Sequence, residues 1–135
     1  DLVVAHGGDG TVNEVVNGVL REGARPGLPM LGVVPGGSAN VFAGALGLPR
    51  DPVEATYRLL QAIEHGTSRK VSVGHVAATG AGLDHDRWFT FNAGVGWDAD
   101  VVAAVEQQRA KGRQASPTLY ARTALTRRAP WREPK

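Results

Sequence analysis

Cysteine is absent from the 135-residue chain, so disulfides and thiolate metal sites are excluded. No apolar run approaches the roughly 18–20 residues that span a bilayer. The 18 glycines follow no Gly-X-Y period, which excludes a collagen. Hydrophobic residues make up 42% and charged residues 21%, so most of the chain has the composition of a packed domain rather than of a disordered segment. The lack of cysteine fits a reducing cytoplasm.

Positive charge is scarce except at the C-terminal end. Residues 1–108 carry 7 Lys and Arg against 12 Asp and Glu, whereas residues 109–135 carry 8 against 1, a net charge of +7. This asymmetry predicts an anionic partner for the basic end, namely phosphate, nucleic acid or a lipid headgroup, and a solvated helix face explains it equally well. No zinc, helix-turn-helix or RNA-recognition motif is present, which argues against nucleic acid.

The first half of the chain alternates short apolar runs with segments of helical periodicity. The runs are apolar throughout rather than alternating, which predicts a parallel sheet covered by helices and therefore an α/β fold. Asp51, Pro52 and Glu54 form a strong helix start. The expected elements are strands at 2–5 and 30–34 and helices at 12–20, 39–46 and 51–66.

The pattern changes after Gly66. Alternating residues at 71–75 and the aromatic run at 88–91 predict an antiparallel pair, and two helices are expected at 98–111 and 117–128. We therefore expect an α/β nucleotide-binding lobe at 1–68 and the start of a β-rich second lobe at 69–135. Because the first strand begins at Leu2 with no earlier strand beside it, we interpret the chain as a piece of a longer protein.

Two glycine-rich turns carry the chemistry. The residues from Gly7 to Thr11 lie between a strand and a helix, where backbone N–H groups can bind an anion. Asp9 beside phosphates makes sense if it holds Mg²⁺, through water, or accepts a proton from an attacking hydroxyl. Thr11 can cap the helix or bind a phosphate oxygen. The alternative is a tight turn in which Asp9 is only a cap.

The second turn, residues 35–40, also follows a strand. The carboxyl ends of parallel strands share one edge, so the two turns are expected to face one crevice, where ligands bind in such sheets. Ser38 and Asn40 offer a hydroxyl and an amide to a nucleotide, and their alternative role is to cap the next helix.

Together these motifs resemble the catalytic domain of the diacylglycerol kinase family, which includes sphingosine and ceramide kinases. Residues 7–11 match the GGDGT signature, and residues 35–40 resemble the block P-x-G-T-x-N-D, with Ser38 in place of Thr and Val41 in place of the final Asp. The Gly-Ser-x-Asn form resembles sphingosine kinases and some actinobacterial lipid-kinase-like proteins. Residues 91–101 resemble a third block, a strand running into a G-[FW]-D-A helix.

The resemblance implies a Rossmann-like lobe followed by a β-sandwich lobe, with ATP and Mg²⁺ between them. It also implies that the start of the first lobe and most of the second lobe are missing from this sequence. It implies an ATP-dependent lipid kinase acting on diacylglycerol or a related lipid, cytoplasmic and peripheral at the inner membrane face, with the basic end on anionic headgroups. Asp9 is the candidate catalytic and metal residue, and Asp98 and Asp100 are candidates for the substrate cleft. The candidate nucleotide-binding residues are Gly7, Gly8, Asp9, Gly10, Thr11, Gly37, Ser38, Asn40 and Arg109.

Two other functions remain open. GGDGT is shared with NAD kinases, so a soluble-substrate kinase is one alternative. The departure at Val41 and the incompleteness of the chain favour the other, a nucleotide- or lipid-binding module without turnover.

Overall fold

A computed structural model describes residues 1–78, 85–93, 97–110 and 117–126. Within these residues the contacts form two units, Asp1–Asn92 and Ala93–Lys135. The first contains β1 (Leu2–Gly7), α1 (Asp9–Val19), β2 (Met30–Pro35), α2 (Val41–Ala45), α3 (Pro52–Glu64), β3 (Gly74–Ala78) and β4 (His85–Phe89). The second contains α4 (Trp97–Ala110) and α5 (Pro117–Thr126). The expected lobe boundary at 68/69 stays a prediction.

The parallel sheet that the sequence predicts is formed by β1 and β2. The strands pair from Leu2 with Met30 to Gly7 with Pro35. One further bond, from Gly36 N to Gly7 O at 2.9 Å, continues the ladder past the strand ends. The two strands therefore end at the same level, and the turns that follow them start side by side. The α/β class is confirmed to this extent, while a Rossmann-like sheet beyond two strands and a β-sandwich stay predictions.

The core of the first unit lies between this sheet and helices α1 and α2. Its buried members are Ala5, Val12, Val33, Phe42 and Ala43. β2 is buried from Gly32 to Pro35, as expected for an apolar strand. β1 is not: Val4 is 49% exposed, whereas Ala5 is 2% exposed. The apolar run at 2–5 predicts a buried strand, and within the described residues that prediction is wrong for Leu2 and Val4.

Helix α3 confirms the start and stop signals read from its sequence. The carboxylate of Asp51 accepts a hydrogen bond from Glu54 N at 2.8 Å, and Pro52 occupies the first helical position, where its missing N–H costs nothing. The helix ends before Gly66, whose φ of 61° is the left-handed conformation that glycine adopts without strain.

The antiparallel pair is present but displaced along the sequence. β3 pairs with β4 from Gly74 with Phe89 to Ala78 with His85, so both strands differ by about three residues from the expected positions. The hairpin packs on α1 through the side chain of Asn17. Its amide donates to Trp88 O and accepts from Trp88 N, both at 2.9 Å, as a neighbouring strand would.

Two further contacts join the hairpin to α1. The indole N–H of Trp88 donates to Leu20 O at 3.2 Å, and Arg87 forms an ion pair with Glu14. In the second unit, α4 packs on α5 with Val101, Ala104 and Val105 buried, and Thr123 donates to Leu119 O. None of the helices in the described ranges combines the length and apolar character needed to cross a membrane.

Candidate functional site

The two glycine-rich turns lie against each other at the carboxyl ends of β1 and β2. We call residues 7–11 the first turn and residues 35–40 the second turn. A Cβ added to Gly37 would be 2.5 Å from the Cα of Gly8, which is closer than real Cβ atoms approach backbone. Glycine is therefore required at position 37 because two backbones touch there.

The glycines of both turns do not use the left-handed conformation that glycine permits, since none of them has a positive φ. The left-handed residue of the two turns is Asn40, with φ of 51°. What four of the glycines provide is space, because an added Cβ would lie 2.5–3.2 Å from other atoms at Gly7, Gly8, Gly36 and Gly37.

Asp9 is the first residue of α1 and is half-buried. Its Oδ1 accepts a hydrogen bond from Phe42 N at 3.0 Å, and the Phe42 ring lies in the core. The carboxylate of Asp9 thus accepts a hydrogen bond from an N–H at the N-terminal end of α2, which is the contact that a helix-capping side chain usually makes. The second carboxylate oxygen, Oδ2, has no hydrogen-bond partner among the described residues. Asp9 is held in one orientation while one oxygen stays available.

Asn40 closes the second turn on itself. Its Oδ1 accepts from Gly37 N at 2.9 Å, and its Nδ2 donates to Gly37 O at 2.6 Å. Asn40 is also the N-cap residue of α2, but its side chain makes no cap bond to that helix. The expected capping role is therefore wrong for the Asn40 side chain, since Asp9 supplies that contact instead.

Thr11 does not cap α1. The N-cap position belongs to Gly8, without a side-chain cap bond, and Thr11 lies inside the helix. Its side chain covers the backbone of Gly7, because a Cβ on Gly7 would be 2.5 Å from Thr11 Oγ1. The capping alternative for Thr11 is wrong, and its phosphate contact stays a prediction.

The structure brings eight of the candidate residues together at one edge of the sheet. Gly10 and Ser38 are exposed there. Asp98, Asp100 and Arg109 lie on α4 of the second unit, and their assignments to the cleft and to the phosphates stay predictions. Most of the basic end, at 111–116 and 127–135, lies outside the described residues. The eight candidates at the edge are Gly7, Gly8, Asp9, Gly10, Thr11, Gly37, Ser38 and Asn40.

Sequence reasoning assigned no site role to two residues at this edge. Phe42 takes part through its backbone N–H, which no side-chain pattern reveals. His6 is exposed immediately before the first turn, and its ring lies about where a side chain on Gly36 would be, 3.0 Å from the position of that Cβ. His6 directly precedes the GGDGT signature, and this position in the sequence could have identified it as a residue of the candidate site.

Two surface cavities of the first unit are lined by residues other than those of the first turn. One, of about 560 Å³, lies at the far end of α1 beside the hairpin and includes Asn17, His75 and Trp88 in its lining. The other, of about 220 Å³, borders the second turn through Pro35, Ala39 and Asn40. The first turn, with the carboxylate of Asp9, therefore lies outside both cavities.

The residues at this edge fit a magnesium ion held mainly by a substrate. Within the described parts of the chain, no group of three or more His, Cys, Asp or Glu side chains comes together. Mg²⁺ keeps several waters and binds through one or two carboxylates together with substrate phosphates. The available oxygen of Asp9 fits that requirement, directly or through a water.

Comparison with known proteins gives a consistent result. The family model for the diacylglycerol kinase catalytic domain matches residues 1–76. The diacylglycerol kinase of Bacillus subtilis is 43% identical over 76 residues, 56% of this chain and 23% of that protein. A probable YegS-like lipid kinase of Chromohalobacter salexigens is 49% identical over 72 residues, which cover 53% of this chain and 22% of that protein. A Staphylococcus aureus diacylglycerol kinase is 46% identical over 74 residues, which cover 55% of this chain and 21% of that protein. No solved structure gives a significant match.

The matched region contains both turns, both strands of the parallel sheet and helices α1 to α3. The matched segment spans less than a quarter of the length of these relatives. The family model covers more than half of the chain itself. The chain therefore belongs to the diacylglycerol kinase catalytic domain family.

Proposed function

We propose that the protein is an ATP-dependent lipid kinase that transfers the γ-phosphate of ATP to a hydroxyl of diacylglycerol or a related lipid. The observation that carries the proposal is the contact between the two turns at the ends of β1 and β2, with Asp9 at the same edge. Kinase chemistry needs close backbone approach to phosphates and one well-placed group that acts on the attacking hydroxyl.

The phosphates would bind at the first turn. The first N–H groups of any helix lack intrahelical partners, and at α1 no capping side chain accepts a hydrogen bond from them. These N–H groups can therefore bind an anion. The second turn offers fewer backbone N–H groups to a phosphate, because Gly36 N already donates to Gly7 O and Gly37 N donates to Asn40 Oδ1. Its contribution to the nucleotide would come from Ser38.

Asp9 would act on the lipid hydroxyl. Its Oδ2 would accept the hydroxyl proton as the lipid oxygen bonds to the γ-phosphorus and the bond from that phosphorus to the β,γ-bridging oxygen breaks, which releases ADP. The hydrogen bond from Phe42 N to Oδ1 would keep the carboxylate from rotating. Mg²⁺, held with the nucleotide phosphates, would supply charge neutralisation there. Arg109 on α4 would reach the phosphates, and Asp98 and Asp100 would line the lipid cleft.

The test is an acceptor comparison with the full-length protein. ATP consumption is measured with diacylglycerol in mixed micelles and, separately, with NAD. We expect a phosphorylated lipid and no phosphorylated NAD. NAD phosphorylation without lipid product would reverse the assignment, and ATP binding without turnover on either acceptor would leave a binding module.

The basic end would bring the enzyme to its substrate at the cytoplasmic membrane face. Anionic leaflets attract basic segments by about 1 kcal/mol per residue near the surface. We expect binding to anionic vesicles that falls steeply between about 0.05 and 0.5 M salt, and little binding to neutral ones. Replacing Arg127, Arg128 and Arg132 with Gln removes most of it and leaves ATP binding intact. Equal binding to neutral vesicles would show that this charge is only a solvated face.

A further inference from the structure

The second turn contains a residue, Asn40, whose side-chain amide forms hydrogen bonds within the turn through both of its polar atoms. Both polar atoms of the Asn40 amide bond to Gly37, one to its N–H and one to its carbonyl. Asn40 holds a φ of 51°, a conformation that Asn tolerates better than most residues other than glycine. These two bonds fix the orientation of the amide toward Gly37, so the turn itself determines where the side chain lies.

The bonds of Asn40 belong to a closed ring of contacts. Asn40 fixes Gly37, and Gly37 lies on Gly8. Gly8 precedes Asp9, whose carboxylate binds Phe42 N in the first turn of α2. α2 begins from the carbonyl of Asn40, which accepts from Gly44 N at 2.9 Å. Each link therefore constrains the next, and the ring passes through the reactive carboxylate.

We infer that Asn40 is a positioning residue: it sets the distance between the two turns and thereby the place of the phosphates and of Asp9, without touching the nucleotide. The inference rests on the proposed kinase function. It reverses the direct nucleotide contact that the sequence motif predicts for Asn40.

The experiment compares two ligands with full-length variants. Asn40→Gly keeps the left-handed conformation and removes both side-chain bonds. Asn40→Asp keeps an acceptor for Gly37 N and loses the donor to Gly37 O. Ala39→Gly is the matched control, since it adds backbone freedom to the same turn without removing a side-chain hydrogen bond. Affinity is measured for ATP and for adenosine, together with kcat, KM and the amide hydrogen exchange rate of Gly37.

We expect Asn40→Gly to weaken ATP binding about tenfold, the scale of one or two lost hydrogen bonds, and to lower kcat. Adenosine affinity stays at the wild-type value, because adenosine carries no phosphate for the turns to hold. Gly37 exchange becomes faster in Asn40→Gly, Asn40→Asp lies between it and wild type, and Ala39→Gly stays close to wild type.

Three outcomes would overturn the inference. Equal loss of ATP and adenosine affinity would mean that Asn40 contacts the nucleoside directly. Unchanged ATP affinity and kcat in Asn40→Gly would mean that the hydrogen bonds between Asn40 and Gly37 do not position the site. An effect of Ala39→Gly as large as that of Asn40→Gly would assign the loss to backbone freedom. A wild-type protein that binds neither ligand would instead refute the proposed function itself, and the exchange rates of Gly37 would still report whether the hydrogen bonds between Asn40 and Gly37 form.

Discussion

The two glycine turns follow equivalent strand ends, yet they are built in opposite ways. The first turn leads directly into an 11-residue helix that has no side-chain cap. Of the two carboxylate oxygens of Asp9, Oδ1 accepts the hydrogen bond from Phe42 N and Oδ2 stays available. The second turn is closed by its own Asn40 and enters a five-residue helix anchored in the core by Phe42. One turn keeps its polar groups available and the other uses most of them internally.

This difference suggests a division of work. In our proposal the first turn carries the reactive carboxylate and the N–H groups for phosphate, and the second turn is the surface that keeps the first in place. Changes in the first turn should then affect turnover more than folding, and changes in the second should affect folding as well. The following substitutions in the full-length protein test that division.

The largest effect is expected from Asp9→Asn. Asparagine keeps an oxygen that can accept from Phe42 N, so the fold is preserved while the proton acceptor is lost. We expect the rate to fall on the order of 10²-fold or more, with little change in thermal stability. Asp9→Ala also loses the bond to α2 and should lower the free energy of unfolding by about 1 kcal/mol. Near-wild-type turnover in Asp9→Asn would end the catalytic assignment.

The next largest effect is expected from Gly37→Ala. The added methyl meets the Cα of Gly8 at 2.5 Å and the N of Gly8 at 3.3 Å, and backbone atoms cannot move aside as the end of a flexible side chain can. Overpacking of this kind costs about 1–3 kcal/mol in the free energy of unfolding, measured by denaturant titration. Gly8→Ala is the matched variant, with a closest contact of 3.2 Å and a smaller expected cost. Equal stability of Gly37→Ala and wild type would mean that the turns do not touch.

The smallest effect on stability is expected from Gly10→Ala. A Cβ there meets nothing within 4 Å, and Gly10 lies in a helix, where alanine is favoured by up to about 1 kcal/mol. The fold therefore has no need of this glycine. We expect unchanged or higher thermal stability and a loss of ATP affinity by calorimetry, because the methyl occupies the approach of the phosphates. Unchanged ATP affinity would show that the phosphates do not pass Gly10.

The sequence predicted local features of the fold better than contacts between distant segments. The start of α3 was predictable because Asp51, Pro52 and Glu54 act within one turn of helix. The link from Asp9 to Phe42 was not, because capping rules are local and this contact joins residues 33 positions apart. The GGDGT motif identified which residues gather at the site, but it could not show which of their atoms are already in use.

The hairpin illustrates the same limit. Alternation at 71–75 predicted a strand, yet pairing begins at Gly74. Alternation alone does not fix a register, because a shifted strand can present an equally good pattern. The contact of Asn17 with Trp88, 71 residues apart, is one that no local pattern contains.

That contact has a mechanical consequence. The 11 residues of α1 form a helix about 16 Å long, with Asp9 at one end. Near the other end, Asn17 is hydrogen-bonded to the hairpin. Asn17 lies about 12 Å along the helix from Asp9, so a tilt of only about 5° around Asn17 displaces Asp9 by about 1 Å. A misplacement of that size in an active site can cost about 10²-fold in rate. In our proposal, the hydrogen bonds between Asn17 and Trp88 therefore fix the end of α1 that lies away from Asp9, and so help to fix the position of the proposed catalytic carboxylate.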